Sequence, residues 1–278
     1  MLQKIKIMKK YSFFITILVL LIGSSCATNP MTGKKTLNLV SNSELFPASF
    51  QQYGQFLKEN KVIQGTADAK RVENIGIKIK EAAEKYLTSI GQNQYLNDYR
   101  WEYKLVDSKD VNAWCLPGGK IVVYTGILPV IKDDAGLATV MAHEVSHALA
   151  NHGAQRMSAA KLQGVGAVGL AVLTGGQSAE SQYMWQQLYG VGSQVGVMLP
   201  FSRGHESEAD KIGLTLMAIA GYNPQEAIAF WKRMAAQSGG KSQPEFMSTH
   251  PSDATRVANL QNLVPEAKAI AAKFGKVY

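Results

Sequence analysis

Apolar and polar positions change period several times along this chain, and the changes mark out its elements. Val72, Ile75, Ile79 and Ala82/Ala83 recur at steps of three and four between Ala67 and Leu87, with charged residues on the other face. That spacing predicts an amphipathic helix. An earlier helix is expected over 42–59, interrupted near Pro47. The period then falls to two. Trp101, Tyr103 and Leu105 alternate with Glu102, Lys104 and Val106, a strand pattern. Asn112 to Leu116 and Lys120 to Thr125 read as two further short strands, and Pro117-Gly118-Gly119 between them suits a tight hairpin. After Gly126 the pattern is almost wholly helical, over 134–151, 155–173, 178–198, 203–220, 224–237 and from 253 to near the end. A small antiparallel sheet followed by many helices defines a mostly helical α+β domain.

The first 25 residues follow a different rule. Lys4, Lys6, Lys9 and Lys10 form a basic start, Phe13 to Ile22 is apolar except for Thr16, and Gly23-Ser24-Ser25 leads to Cys26. This is the layout of a secretory signal peptide, and the apolar run falls short of the roughly 20 residues a membrane span needs. Leu21-Ile22-Gly23-Ser24-Ser25-Cys26 resembles a bacterial lipobox, with Gly23 where Leu is more usual. Cys26 is therefore the expected lipidation site, after which a 26–40 leader with Asn-Pro and Thr-Gly turn signals opens a single domain over 41–278. Several acyl chains together hold a protein firmly on a membrane. The expected location is the bacterial cell envelope, anchored to the inner or outer membrane and facing the periplasm.

Composition changes the picture in two ways. The chain of 278 residues is 46% hydrophobic and 18% charged, which excludes a disordered protein. Its net charge of +8 halves to +4 once the signal segment, with four lysines and no acid, is set aside. A nucleic-acid role loses its support with it. Two cysteines exclude a cysteine-built zinc cage. With Cys26 lipidated, Cys115 has no partner and is expected to be buried.

Candidate chemistry centres on His143-Glu144-Val145-Ser146-His147, an H-E-x-x-H within the apolar run DAGLATVMAHEVSHALANHG. Positions i and i+4 lie one turn apart on one helix face, so the two imidazoles can bind one zinc ion. Glu144, one step round, can act as general base on a water. Asp133 or Asp134 can cap the helix start and Gly153 can end it. His152 lies about 140° beyond His147 on a continued helix and is expected to face away. A third ligand must then come from elsewhere. LPFSRGHESEADKIG (199–213) carries Glu206 and Asp210 at i, i+4, with Glu208 pointing away from both. One of that pair could ligate while the other bonds a ligand imidazole. His205 reads as a bystander.

With these motifs, the chain resembles the gluzincin metallopeptidases of the CAAX prenyl endopeptidase family, in its soluble bacterial lipoprotein branch. The likeness extends to NPMTGKKTLNLV, NAWCLPGGKIVVYTGIL, AHEVSHALANH, LPFSRGHESEAD, GYNPQEAIAFWKRM and THPSDATRVANL. Some relatives carry a C-terminal helical-repeat module, and none is expected here. The resemblance implies a zincin-like fold and one zinc ion per chain. It makes Glu206 the third ligand beside His143 and His147, and gives Asp210 the role of the family's paired acid. It also turns His250 and Arg256 toward the site. There His250 could stabilise an oxyanion, with Arg256 orienting it, or could fill the open zinc position and hold the enzyme latent. Asn112, Ala113, Trp114, Cys115 and Leu116 form the candidate edge strand on which an extended peptide pairs. The implied activity is zinc-dependent endopeptidase cleavage of unfolded or misassembled envelope proteins. A catalytically silent zinc lipoprotein, acting as scaffold or chaperone, is the alternative. The Gly-rich 164–176 segment and Gly190, Gly192 and Gly196 are expected to pack near the site, as core or as a lid.

Overall fold

The computed structural model describes residues 26–159, 201–237, 244–250 and 255–278. The signal segment, the Gly-rich stretch with the three following glycines, and the expected helix 178–198 lie outside the described residues, as does most of 155–173. Residues 152–159 are helical. Among the described residues no helix is long and apolar enough to cross a membrane.

The leader is not a lone extended segment. Strands β1 (Cys26–Thr28) and β2 (Lys35–Leu37) pair antiparallel. Asn29 and Lys34 close the turn, with Gly33 at φ 71° accepting the left-handed backbone. Helix α1 (Asn42–Glu59) starts on the Ser41 cap and runs through Pro47 without interruption. Proline there removes a single amide donor, and the packing of Leu45, Phe46 and Tyr53 into the core holds the helix straight through it. After β3 (Val62–Ile63), helix α2 (Ala67–Ser89) is capped by Thr66 and buries Val72, Ile75, Ile79, Ala82 and Ala83, the face its spacing predicts.

Strands β4 (Glu102–Val106), β5 (Ala113–Leu116) and β6 (Lys120–Tyr124) join β3 in a sheet of order β3-β4-β6-β5. The α+β class holds, but the sheet is mixed. β5 and β6 form the expected antiparallel hairpin, with Gly118 and Gly119 at φ 83° and 88°, whereas β6 pairs parallel with β4. The second strand of the hairpin docks on β4 instead of the first, so the chain direction repeats and β5 is left outermost. Hydropathy gives strand existence, not strand order, so the expected all-antiparallel sheet is corrected to a mixed one.

A 3-10 turn (Thr125–Ile127) and the short α3 (Leu128–Ile131) lead into α4 (Asp134–Leu149). Asp133 caps α4, its carboxylate accepting from the Gly136 amide at 2.8 Å. Every residue from Gly136 to Leu149 is buried. The helix does not end at Gly153. It closes at Ala150, and Asn151 takes the left-handed conformation at φ 53°. The Tyr95 and Tyr99 hydroxyls donate to the Leu149 and Ala148 carbonyls at 2.7 and 3.1 Å, satisfying acceptors the helix leaves open. Helix α5 (Arg203–Ile219), capped by Ser202, packs along α4. A Cβ at Gly213 would lie 3.2 Å from the His143 amide, so glycine there lets the two backbones approach at the level of the motif. Helices α6 (Glu226–Gln237), α7 (Glu245–Thr249) and α8 (Arg256–Ala272) complete the described fold.

Candidate metal centre

Helix α4 presents His143 and His147 on one face, α5 brings Glu206 against them from its first turn, and the end of α7 delivers His250. One donor atom from each of these four buried residues falls in a group spanning at most 4.8 Å. His143 Nε2 and His147 Nε2 are 3.1 Å apart, and His250 Nδ1 lies 3.3 Å from the former. Glu206 Oε1 is 3.1 Å from His250 Nδ1 and 3.4 Å from His147 Nε2. Three imidazole nitrogens and a carboxylate oxygen form a set that suits zinc.

Behind the donors stands a charged support. Asp210, one turn after Glu206, lies 3.0 Å from His143 Nδ1. Arg256 spans both acids, with Nη2 and Nε donating to Asp210 at 2.7 and 2.9 Å and Nη1 to Glu206 Oε2 at 3.0 Å. The guanidinium carbon sits 3.4 Å over the Trp231 ring. Phe246 and Phe201 stack on His250, and Phe201 also lies against His147 with ring centroids 3.9 Å apart. Hydropathy assigned Trp231, Phe246 and Phe201 to no role. Phe201 is the third residue of the LPFSRGHESEAD stretch.

Electrostatics separate the members. Without metal, burial opposes charge on His143, but the Asp210 and Glu206 carboxylates outweigh it and raise its pKa to about 9. Burial drives His147 far below the ordinary imidazole range. Burial would also raise Glu206, yet the electrostatic contacts with His250 and His143 hold its carboxyl well below the usual range. For Asp210, Arg256 does the same. Burial pushes Glu144 up, with His250, His143 and the Cys115 backbone amide partly opposing. Glu144 Oε1 is 3.2 Å from His250 Nε2 without hydrogen-bond alignment, so this buried oxygen has no hydrogen-bond partner. A buried carboxylate oxygen without a hydrogen bond beside converging donors is what a site built to hold a metal and its water would contain.

One expectation about the motif helix is overturned. His152 does not face away. It is fully buried, its Nδ1 is 2.9 Å from His147 Nδ1, and its Nε2 is 3.3 Å from Glu208 Oε2. Extrapolating 100° per residue fails because the helix stops before it and Asn151 turns the chain back. Glu208 meets His152, Asn29, Thr32 and Lys34, and lies outside the donor group. His205 stacks on His152 at 4.3 Å and bonds Gln155, outside the donor group. The five residues of the candidate edge occupy the outer side of the sheet, but all are buried. Cys115 is buried with a free thiol.

Fold and site together define a protein of the H-E-x-x-H metallopeptidase class. Residues 77–264 match the model of Peptidase family M48, and the chain belongs to that family. It is 37% identical over 207 residues to mitochondrial metalloendopeptidase OMA1 of Saccharomyces cerevisiae, covering 72% of this chain and 57% of that protein. It is 28% identical over 273 residues to metalloendopeptidase OMA1, mitochondrial, of Homo sapiens, covering 96% and 51%. It is 30% identical over 189 residues to beta-barrel assembly-enhancing protease of Escherichia coli (strain K12), covering 64% and 38%. The chain thus spans roughly half or less of the length of these relatives.

Proposed function

We propose that this chain is a zinc endopeptidase whose metal is held by His143, His147 and Glu206, with Glu144 as general base. The observation that carries this reading is the buried Glu144 oxygen, without a hydrogen-bond partner, beside the four converging donors. His143, His147 and Glu206 would hold zinc, which would supply Lewis acidity toward a peptide carbonyl and toward water. Glu144 would take a proton from the water that attacks the carbonyl carbon and return it to the departing amine as the C–N bond breaks. Asp210 fixes the His143 ring and Arg256 holds Asp210 and Glu206 in place. Glu144→Gln keeps the ring of ligands and removes the base. It should retain about one zinc, as a single site requires, and lose casein cleavage. Full activity in that variant would discard the mechanism.

Extended protein chains are the proposed substrates, paired along β5. Asn112 accepts from the Tyr124 amide, so by antiparallel alternation Ala113 and Cys115 direct their backbone groups to the outer side. The Ala113 amide is taken by the Asn112 side chain at 2.8 Å and the Cys115 amide by Glu144, which leaves the two carbonyls for pairing.

His250 supports a resting form of the same enzyme, with a ring nitrogen in the donor group and its Nδ1 3.3 Å from His143 Nε2. In that form a silent scaffold and a latent enzyme look alike. His250→Ala separates the roles: higher cleavage marks a blocking ligand, lower cleavage an oxyanion donor. We further place the chain in the lipoprotein branch, anchored through Cys26 in the bacterial envelope and acting on unfolded or misassembled envelope proteins. The lipobox-like segment and the likeness to a beta-barrel assembly-enhancing protease support this. Labelling with a radioactive fatty acid, native against Cys26→Ser, tests the anchor.

A further inference from the structure

The His147 ring has a second nitrogen, and what it faces is unusual. His147 Nδ1 meets His152 Nδ1 at 2.9 Å, and His152 Nε2 meets Glu208 Oε2 at 3.3 Å. Glu208 is in turn gripped by the leader turn. Lys34 Nζ donates to Oε2 at 2.8 Å, and the Thr32 hydroxyl and Asn29 amide donate to Oε1 at 2.7 and 2.9 Å. A chain of contacts therefore runs from the metal centre to the segment that follows Cys26.

Proton bookkeeping gives this chain one direction. A ligating Nε2 must be bare, so the His147 proton sits on Nδ1 and donates. His152 Nδ1 must then accept, which puts its own proton on Nε2, aimed at Glu208. An ionised Glu208 accepts only, and its four neighbours on the leader and His152 are all donors. No link has two donors or two acceptors facing each other. If His152 were merely a core imidazole, nothing would require this order, and a fully buried polar ring needs both nitrogens satisfied.

We propose that His152 and Glu208 are positioning residues that fix the tautomer and ring angle of His147, and that the leader turn Asn29–Lys34 anchors them. The leader is then a working part of the metal centre, not a tether that leads to it. This inference rests on the metal reading of the site, since only a bare His147 Nε2 sets the direction.

The experiment compares zinc affinity, by chelator competition, in the full chain and in His152→Leu and His152→Gln. Loss of a hydrogen-bond partner behind a ligand imidazole weakens metal binding about 10–100-fold, the result expected for leucine. Glutamine offers an acceptor and a donor at the spacing of the two ring nitrogens and should recover most of the affinity. In the cobalt(II)-loaded protein the His147 Nδ1 proton should exchange slowly with solvent in the native chain and in His152→Gln, and fast in His152→Leu. A leucine variant with native affinity and a native proton signal overturns the proposal, as does a glutamine variant no better than leucine, which would make His152 a packing residue. Thr32→Val/Lys34→Met changes only the surface end and keeps the question open to measurement if His152→Leu does not fold. It should weaken zinc by a smaller factor, and unchanged affinity would detach the leader from the relay. A native chain that takes up no zinc would sink the metal reading itself. Native uptake with unaltered variants would sink the relay alone.

Discussion

The two imidazoles of one motif, a single turn apart on α4, are backed in different ways. His143 rests on Asp210 and Arg256, and every side chain in that support is about 95% buried or more. His147 rests on a neutral imidazole, then a carboxylate, and the line ends on Lys34, whose side chain is 43% exposed. The first support is closed inside the core and cannot be altered without touching the fold. The second starts in the core and finishes at the surface of the leader. Equal spacing in sequence thus yields one ligand tied to folding and another open to adjustment from outside.

Breaking the closed side should produce the largest effect. Arg256→Met keeps much of the stem that lies over Trp231 but strips the charge from Asp210 and Glu206, both buried. Removing one member of a buried ion pair costs about 3–5 kcal/mol. Urea denaturation of the metal-free protein should show a loss of that size. A loss below about 1 kcal/mol, the range of exposed pairs, would mean that the charged support is not closed. Asp210→Asn is milder. It keeps an oxygen toward His143 but loses the charge, and zinc affinity should fall by about 10–100-fold. Glu208→Gln should cost less, because an imidazole still stands between it and His147. Equal losses in the two variants would erase the asymmetry.

How much of this was legible in the sequence varies by residue. H-E-x-x-H, the Asp133 cap and the pairing of Glu206 with Asp210 follow from helix geometry, which is local; Asp133 does cap α4, and Glu206 and Asp210 do meet the motif histidines. The resemblance added His250 and Arg256, which no periodicity could have joined to a motif more than 100 residues away. His152 was misjudged because its position depends on one left-handed residue, Asn151, past the helix end. Asparagine is among the few residues that tolerate this conformation, so N-H after the motif was a readable signal. The link from Asn29, Thr32 and Lys34 to Glu208 was out of reach, since charge at position 208 says nothing about which distant turn it meets.

Titration sharpens the contrast further. In the metal-free protein His143 has its pKa raised from 6.5 to about 9, so its proton adds stability that is complete below pH 6.5 and lost as pH rises through about 9. His147, driven down by burial, carries no such proton at neutral pH. Zinc uptake at pH 7 should therefore release about one proton, and affinity should climb about tenfold per pH unit until His143 is deprotonated. Calorimetry in buffers of different ionisation enthalpy counts the proton. Release of two would mean that both imidazoles are charged before binding and that their supports are equivalent.

The smallest effect belongs to the outer end of the open side. Lys34 pairs with Glu208 at 2.8 Å, but its head group is close to half exposed, so solvent and salt screen the attraction. Pairs of this kind contribute about 0–1 kcal/mol, and Lys34→Met should shift the denaturation midpoint only within that range. Raising the salt concentration should narrow the gap between native and variant further. The Thr32 and Asn29 bonds to the other Glu208 oxygen remain in the variant and hold the leader turn. A stability loss of several kcal/mol would show instead that the leader is locked as tightly as Arg256. The open side would then be as closed as its neighbour, and the difference between the two histidines would reduce to chemistry alone.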